Sequence, residues 1–196
     1  MTLFPSSSPV NPPGATDAVG TPVIRRSRPD DFEGVYSLYL DVAAIPGGIA
    51  RSQDEITPDY VVSFLGRSGA AGLSMVALDG DRIVGEVHAA RPVLRAFSHM
   101  LTDLTICVRP AYQGRGWGRR LFSEFLRVVR EDMPDVRRVE LFTRQSNRRA
   151  IAFYTSLGFC MEGILRGRIA GVDGDLEDDI LMGWVRPPPG DDDDRY

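Results

Sequence analysis

Gln113-Gly114-Arg115-Gly116-Trp117-Gly118-Arg119-Arg120 is the stretch that decides how this chain of 196 residues is read. Upstream, Leu104-Thr105-Ile106-Cys107-Val108 is apolar and β-branched, which predicts a buried strand closed by Pro110. Downstream, Leu121, Phe122, Phe125, Leu126 and Val129 recur at helical spacing with Glu124, Arg127 and Arg130 between them, predicting an amphipathic helix over 116–131. A strand that runs through a glycine-rich turn into a helix N-terminus makes an anion site, because unpaired N–H groups converge there and the helix dipole adds partial positive charge. The glycines at 114, 116 and 118 let the backbone wrap closely around a phosphate. The stretch reads as a pyrophosphate grip, with the backbone from Gly114 through Arg119 as donor and Arg115, Arg119 and Arg120 adding charge. A purely structural turn is the alternative reading of such a cluster.

Two familiar phosphate loops are excluded. A Walker-type loop needs Gly-Lys-Ser/Thr, and the chain contains no lysine. The dinucleotide fingerprint needs a third glycine three positions after the second; from Gly114 and Gly116 that position is Arg119, and from Gly116 and Gly118 it is Leu121.

Composition narrows the class further. Residues 1–20 are rich in Pro, Ser and Gly and read as a disordered arm, and residues 187–196 carry three prolines, a glycine and four aspartates and read as a disordered acidic tail. A single domain is expected over 21–186. Of the formal net charge of −4, the tail and Asp17 account for essentially all, so the domain is near neutral and offers no nucleic-acid surface. No signal-peptide pattern opens the chain and no apolar stretch approaches a membrane span, so a cytoplasmic location and no membrane partner are expected. Cys107 and Cys160 are isolated in apolar sequence and read as two small buried hydrophobes; with two Cys and two His, no metal site is expected.

The coarse element order is β-α-α-β-β-β-α-β-α-β-β. Val23-Ile24-Arg25 is a first strand, and Arg28-Pro29-Asp30-Asp31 opens a helix with Phe32, Val35, Tyr36 and Tyr39 inward. Asp41–Thr57 reads as an exposed loop, and Thr57-Pro58-Asp59 starts a second helix with Tyr60, Val61, Phe64 and Leu65 inward. Ser74–Leu78 and Arg82–His88 form a hairpin across Asp79-Gly80-Asp81. Leu101–Val108, Arg138–Phe142, Phe159–Leu165 and Leu176–Trp184 are the remaining strands, and Asn147–Leu157 is a helix with Gly158 at its C-terminal cap. The class is α+β, with a mixed, mostly antiparallel sheet flanked by helices.

Gln113-x-x-Gly116-x-Gly118 after a strand resembles the acyl-CoA loop of the GNAT N-acetyltransferase superfamily. Asn147-Arg148-Arg149-Ala150-Ile151-Ala152-Phe153-Tyr154-Thr155-Ser156-Leu157-Gly158-Phe159 resembles the second signature of that family, and Glu162-Gly163, Asp178 and Met182 are similar to its C-terminal strands. The resemblance runs from about Val23 to Trp184 and looks most like bacterial amino-acid and phosphinothricin-type N-acetyltransferases. It implies the GNAT fold, acetyl-CoA as co-substrate, and a primary-amine acceptor, most simply a small molecule such as an amino acid. A protein N-terminus or lysine, and a non-catalytic CoA-binding regulatory module, are the alternatives. A homodimer through the C-terminal strands is left open.

By the same resemblance, the strand before the loop splays from its neighbour, and the backbone of Ile106 and Val108 meets the pantetheine amides. The cofactor set is then Ile106, Val108, Gln113, Gly114, Arg115, Gly116, Trp117, Gly118, Arg119 and Asn147, the last being also a natural helix cap. Tyr154 corresponds to a phenol near the CoA sulfur, where it would protonate the leaving thiolate; a plain core aromatic is the alternative. Asp103 is the candidate base and Glu86 its competitor, with His99 a third option and His88 read as structural. Acceptor choice is expected to lie with Asp41–Thr57, Arg91–Met100 and Arg166–Asp175, with Arg51 or Arg95 pairing a substrate carboxylate.

Overall fold

The computed structural model describes residues 23–45, 47–171 and 174–187. The arm expected over 1–20 and the tail beyond Pro187 lie outside the described residues. Local chemistry sets the helix starts. Thr57 Oγ1 accepts from Tyr60 N at 3.2 Å and Pro58 occupies the first helical position, which starts α2 (Pro58–Ala71). Asp31, ahead of α1 (Phe32–Ala43), accepts from Arg28 N at 2.7 Å and from both terminal nitrogens of Arg25, each at 2.7 Å, tying the first helix to β1 (Val23–Arg26). Asn147 Oδ1 accepts from Ala150 N at 3.0 Å and caps α4 (Arg148–Thr155).

The other elements are β2 (Gly72–Asp79), β3 (Arg82–Ala90), β4 (Met100–Val108), α3 (Trp117–Asp132), β5 (Arg138–Arg144), β6 (Cys160–Ala170) and β7 (Leu176–Val185). Their order along the chain is the expected one. They form a seven-stranded sheet in the order β1-β2-β3-β4-β5-β7-β6, antiparallel except where β4 meets β5. One face carries α3 and α4 over Leu73, Met75, Val87, Leu121, Phe122 and Phe125. The other carries α1 and α2 over Val35, Leu38, Tyr39, Val61, Phe64 and Val76. Among the described residues no helix is long and apolar enough to cross a membrane.

Two irregularities in β4 shape the site. The register with β3 passes from His88 opposite Thr105 to Ala90 opposite Thr102, which leaves one extra residue on β4, a β-bulge. Asp103 sits in that bulge at φ +54°. Beyond it β4 leaves β5: the parallel pairing covers only Met100 with Arg138 and Leu101 with Val139, and β5 continues along β7 instead. Thr102 Oγ1 donates to Glu140 Oε1 at 3.0 Å where the strands part.

Three expectations are corrected. Asp41–Ala43 belong to α1 rather than to a loop, since Val42 is buried and Asp41 pairs with the buried Arg109, whose Nε also donates to Ile83 O at 2.8 Å. Ile56, in the same stretch, is buried against the α1 and α2 core. Cys160 is exposed, because β6 is the edge strand, while Cys107 is buried as expected. Leu104, Thr105, Ile106 and Val108 are half-buried rather than buried because they border the gap between β4 and β5.

Candidate active site

The gap joins the two faces of the sheet, and the chemistry gathers at its ends. Arg109 N donates to Val84 O at 2.8 Å, which fixes the antiparallel alternation: the backbone groups of Cys107 and Arg109 face β3, and those of Ile106 and Val108 face the gap. The Val108 carbonyl already accepts from Gln113 Nε2 at 2.9 Å. Gln113 therefore ties the loop back onto the strand with its side chain.

The loop enters α3 through Gly114 at φ +74° and Gly116 at φ +83°, a conformation that glycine adopts without the steric penalty of a Cβ. Gly116 is the N-cap and offers no side chain, so no side chain caps the first N–H groups of this sixteen-residue helix. Its first turn contains Arg119 and Arg120 and no acid. Cations at the positive end of a helix dipole are unfavourable alone and become favourable around a bound anion. The residues present therefore fit a pyrophosphate. The Trp117 indole is buried edge-on against Tyr112, 5.4 Å between ring centroids, so only the backbone of this residue is available to that site. Arg119 donates to Ser156 Oγ at 2.7 Å, which bridges the loop to the end of α4, and Arg115 is exposed.

Tyr154, on α4, is 8% exposed and packs against Phe122, Phe153 and Phe159, with ring centroids 5.2–5.9 Å away. Phe159 N donates to Tyr154 O at 3.1 Å across the turn at Gly158, which holds the residue in place. Burial raises the pKa of its phenol, so the hydroxyl keeps its proton at neutral pH. Among the described residues the hydroxyl has no hydrogen-bond partner, whereas every fully buried side-chain nitrogen or oxygen has one; the hydroxyl therefore reaches the surface.

On the α1/α2 face a cavity of about 330 Å³ opens at the gap. Its helical wall is Tyr60, Phe64 and Arg67 of α2, with Arg51 above them. Its sheet wall is His88, the bulged Asp103 and Thr105 on β3 and β4, with Phe142 from β5 across the gap. Asp103 accepts from Arg67 Nη1 at 3.2 Å, and both are more than half exposed. Arg51 stacks over Tyr60, 4.1 Å from its centroid, and has no ion-pair partner among the described residues.

Glu86 is fully buried behind His88 and does not line the cavity, so its carboxylate has no direct access to an acceptor there. His99 is exposed ahead of β4, and Arg95 likewise stays off the cavity wall. Among the described residues of the three loops expected to frame the acceptor, only Arg51, in Asp41–Thr57, lines the cavity. His88, read from sequence as structural, stands in the cavity wall. The signal for it was present: Glu86 and His88 are two apart in the otherwise apolar run Ile83–Ala90 and so share a face. No cluster of metal-ligating side chains occurs among the described residues.

The family model for the acetyltransferase (GNAT) family matches residues 34–159. This chain belongs to that family. N-alpha-acetyltransferase RimI of Mycobacterium tuberculosis is 45% identical over 71 residues, 35% of this chain and 42% of that protein, so the match spans less than half of that relative. Among solved structures, an acetyltransferase of the GNAT family from Streptococcus pneumoniae superposes with a TM-score of 0.75 at 21% identity, over 85% of this chain and all of the other. yncA from Salmonella typhimurium, solved with its cofactor acetyl-CoA, gives a TM-score of 0.74 at 18% identity, over 88% and 98%. At these identities the structural likeness is one of fold.

Proposed function

We propose that the protein is an acetyl-CoA-dependent N-acetyltransferase that moves an acetyl group to the primary amine of a small molecule, an amino acid or close analogue, by direct attack in a ternary complex. The donor's pyrophosphate would lie on the N-terminus of α3 and the Gly114–Arg119 backbone, and its pantetheine along the free edge of β4 at Ile106 and Val108. When bound, acetyl-CoA supplies the activated thioester. Tyr154, protonated and open to the surface, is the group suited to protonate the departing sulfur. Asn147 holds the helix that carries Tyr154 by capping it.

The observation that carries the small-molecule reading is Arg51. A guanidinium at a cavity of about 330 Å³, stacked on an aromatic ring and without a carboxylate of its own among the described residues, suits the carboxylate of an amino acid whose amine points to the gap. The partial match to a protein N-alpha-acetyltransferase favours a second reading, a protein N-terminal amine.

The test is CoA-thiol release from acetyl-CoA across free amino acids, polyamines, aminoglycosides and short peptides. Turnover with an amino acid, with KM for that amino acid raised selectively in Arg51→Ala, supports the first reading. Turnover confined to peptides supports the second. Acetyl-CoA binding without turnover for any amine overturns the catalytic reading.

A further inference from the structure

We infer that His88 is the base that takes the proton from the acceptor amine, held in its working tautomer by Glu86. This inference rests on the acetyl-transfer reading above. The alternation of β3 turns Glu86 and His88 to the α1/α2 face, Glu86 beneath and His88 at the cavity wall. Glu86 has 0% exposure and no arginine beside it among the described residues. Its carboxylate accepts from Ser74 Oγ at 2.9 Å and from the Tyr39 hydroxyl at 2.8 Å, and its Oε2 lies 3.1 Å from His88 Nδ1.

A buried carboxylate needs its lone pairs satisfied. Nδ1 is the third donor available, so it carries the ring proton, and the Tyr39 oxygen, 3.3 Å away, is a weaker second acceptor for it. A neutral imidazole has one N–H, which leaves the lone pair on Nε2. Nε2 has no partner among the described residues, while every fully buried side-chain nitrogen or oxygen there has one, so Nε2 opens on the cavity. Phe64 stacks on the ring at 4.0 Å and 10° between planes and fixes its orientation.

The proton balance is simple. An N–H bond of the acceptor ammonium breaks, an Nε2–H bond forms, and the amine keeps the electron pair. Glu86 offsets the charge of the imidazolium. The amine then attacks the thioester carbonyl, the C–S bond breaks, and the sulfur leaves with its electron pair and takes the Tyr154 proton. The nitrogen now bonded to the acetyl carbon gives its second proton to solvent and becomes the neutral amide. Solvent then removes the proton from His88 and restores that of Tyr154.

Charged and titratable groups face His88 from every side: Arg51 from the α1–α2 connection, Tyr39 from α1, Tyr60 and Arg67 from α2, Asp103 and Cys107 from β4. The two arginines oppose an imidazolium, and Glu86 and Asp103 favour it. Asp103 itself is engaged by Arg67 and mostly solvated, whereas Nε2 is open and unengaged.

Two measurements test the dyad separately from the acetyl-transfer reading. In ¹⁵N NMR of imidazole-labelled protein, His88 should show the Nδ1–H tautomer, and Glu86→Gln should disturb it; the Nε2–H tautomer in the wild type overturns the dyad even in an active enzyme. In steady-state kinetics with an amine that supports CoA release, His88→Gln should lower kcat by about 10²–10⁴-fold and abolish the acid limb of kcat/KM, with the Kd for acetyl-CoA held within about twofold. Glu86→Gln should lower kcat less and displace that limb. A folded His88→Gln protein with the wild-type kcat and pH profile overturns the assignment. Asp103→Asn serves as the counter-test: if it alone removes the acid limb, the base is Asp103. If the wild type turns over no amine, the acetyl-transfer reading falls and His88 loses its role as base, whatever its tautomer.

Discussion

Tyr154→Phe separates a catalytic phenol from a packing one, because the structure makes the two readings differ in stability as well as in rate. A buried tyrosine hydroxyl that donates a hydrogen bond contributes about 1 kcal/mol, lost on truncation to phenylalanine. The Tyr154 hydroxyl has no such partner among the described residues, and the ring contacts with Phe122, Phe153 and Phe159 survive the substitution. Stability should therefore change by no more than about 0.5 kcal/mol, which is within a few degrees in Tm. Loss of a general acid costs about 10²–10⁴ in rate, or about 2.7–5.4 kcal/mol in the barrier. The assay pairs CoA-thiol release, followed with a thiol reagent, against thermal unfolding of the same samples. The expected result is a large fall in kcat, little change in the Kd for acetyl-CoA, and an unchanged Tm. A variant with the wild-type kcat would refute the acid role. One destabilised by more than about 1 kcal/mol would refute the claim that the hydroxyl is unpartnered.

Other outcomes follow from geometry already described. Gly116→Val places a β-branched residue at φ +83°, at a cost of about 1–2 kcal/mol, and should weaken acetyl-CoA binding by roughly tenfold or more in calorimetric titration, since the donor groups of the α3 N-terminus shift. Asp41→Ala leaves the guanidinium of Arg109, 5% exposed, with Ser37 and the Ile83 carbonyl as partners; chemical denaturation should show a loss of about 1–3 kcal/mol without a change in acetyl-CoA affinity. Hydrogen bonds from Arg25 and from Arg28 N hold the Asp31 carboxyl below its ordinary pKa. A lowered folded-state pKa stabilises the fold above the unfolded value of about 3.9 and is lost as pH falls through the folded one. Asp31→Asn should thus lower stability at pH 7 by about 1–3 kcal/mol and cost progressively less below pH 4, measured by urea melts at both ends.

What the sequence made legible was local. The Gly114–Gly118 turn, the stripe of α3, the Thr57-Pro58 start and the Asn147 cap each depend on neighbours within a few residues, and each stands where expected. What escaped depends on pairing across the sheet. The bulge at Asp103 exists only in the register of β4 against β3; the parting of β4 from β5, set by the preference of β5 for β7, was expected from the family resemblance but is written in no local stretch of residues. Glu86 and His88 were visible as two polar residues in an apolar strand. Their order of depth was not, because it is set by Tyr39 and Ser74, 47 and 12 residues from Glu86 along the chain. The loop at Asp41–Ala43 was misread because polar spacing alone hid an ion pair with Arg109, 68 residues away.

The parted strands also bear on how the protein endures without its ligand. Beyond Leu101 the interior of the sheet contains an edge whose amides, at Ile106 and Val108, have no strand beside them. Such an edge exchanges its hydrogens with water and offers itself to stray chains, as an outer edge does. A ligand lying along it acts as a substitute strand, and one present at a hundred times its Kd adds about 2.7 kcal/mol to the folded state. If the acyl donor lies along this edge as proposed, the lifetime of the folded chain is coupled to the supply of that donor: where the donor is scarce, the seam lies open and the protein is at its most perishable.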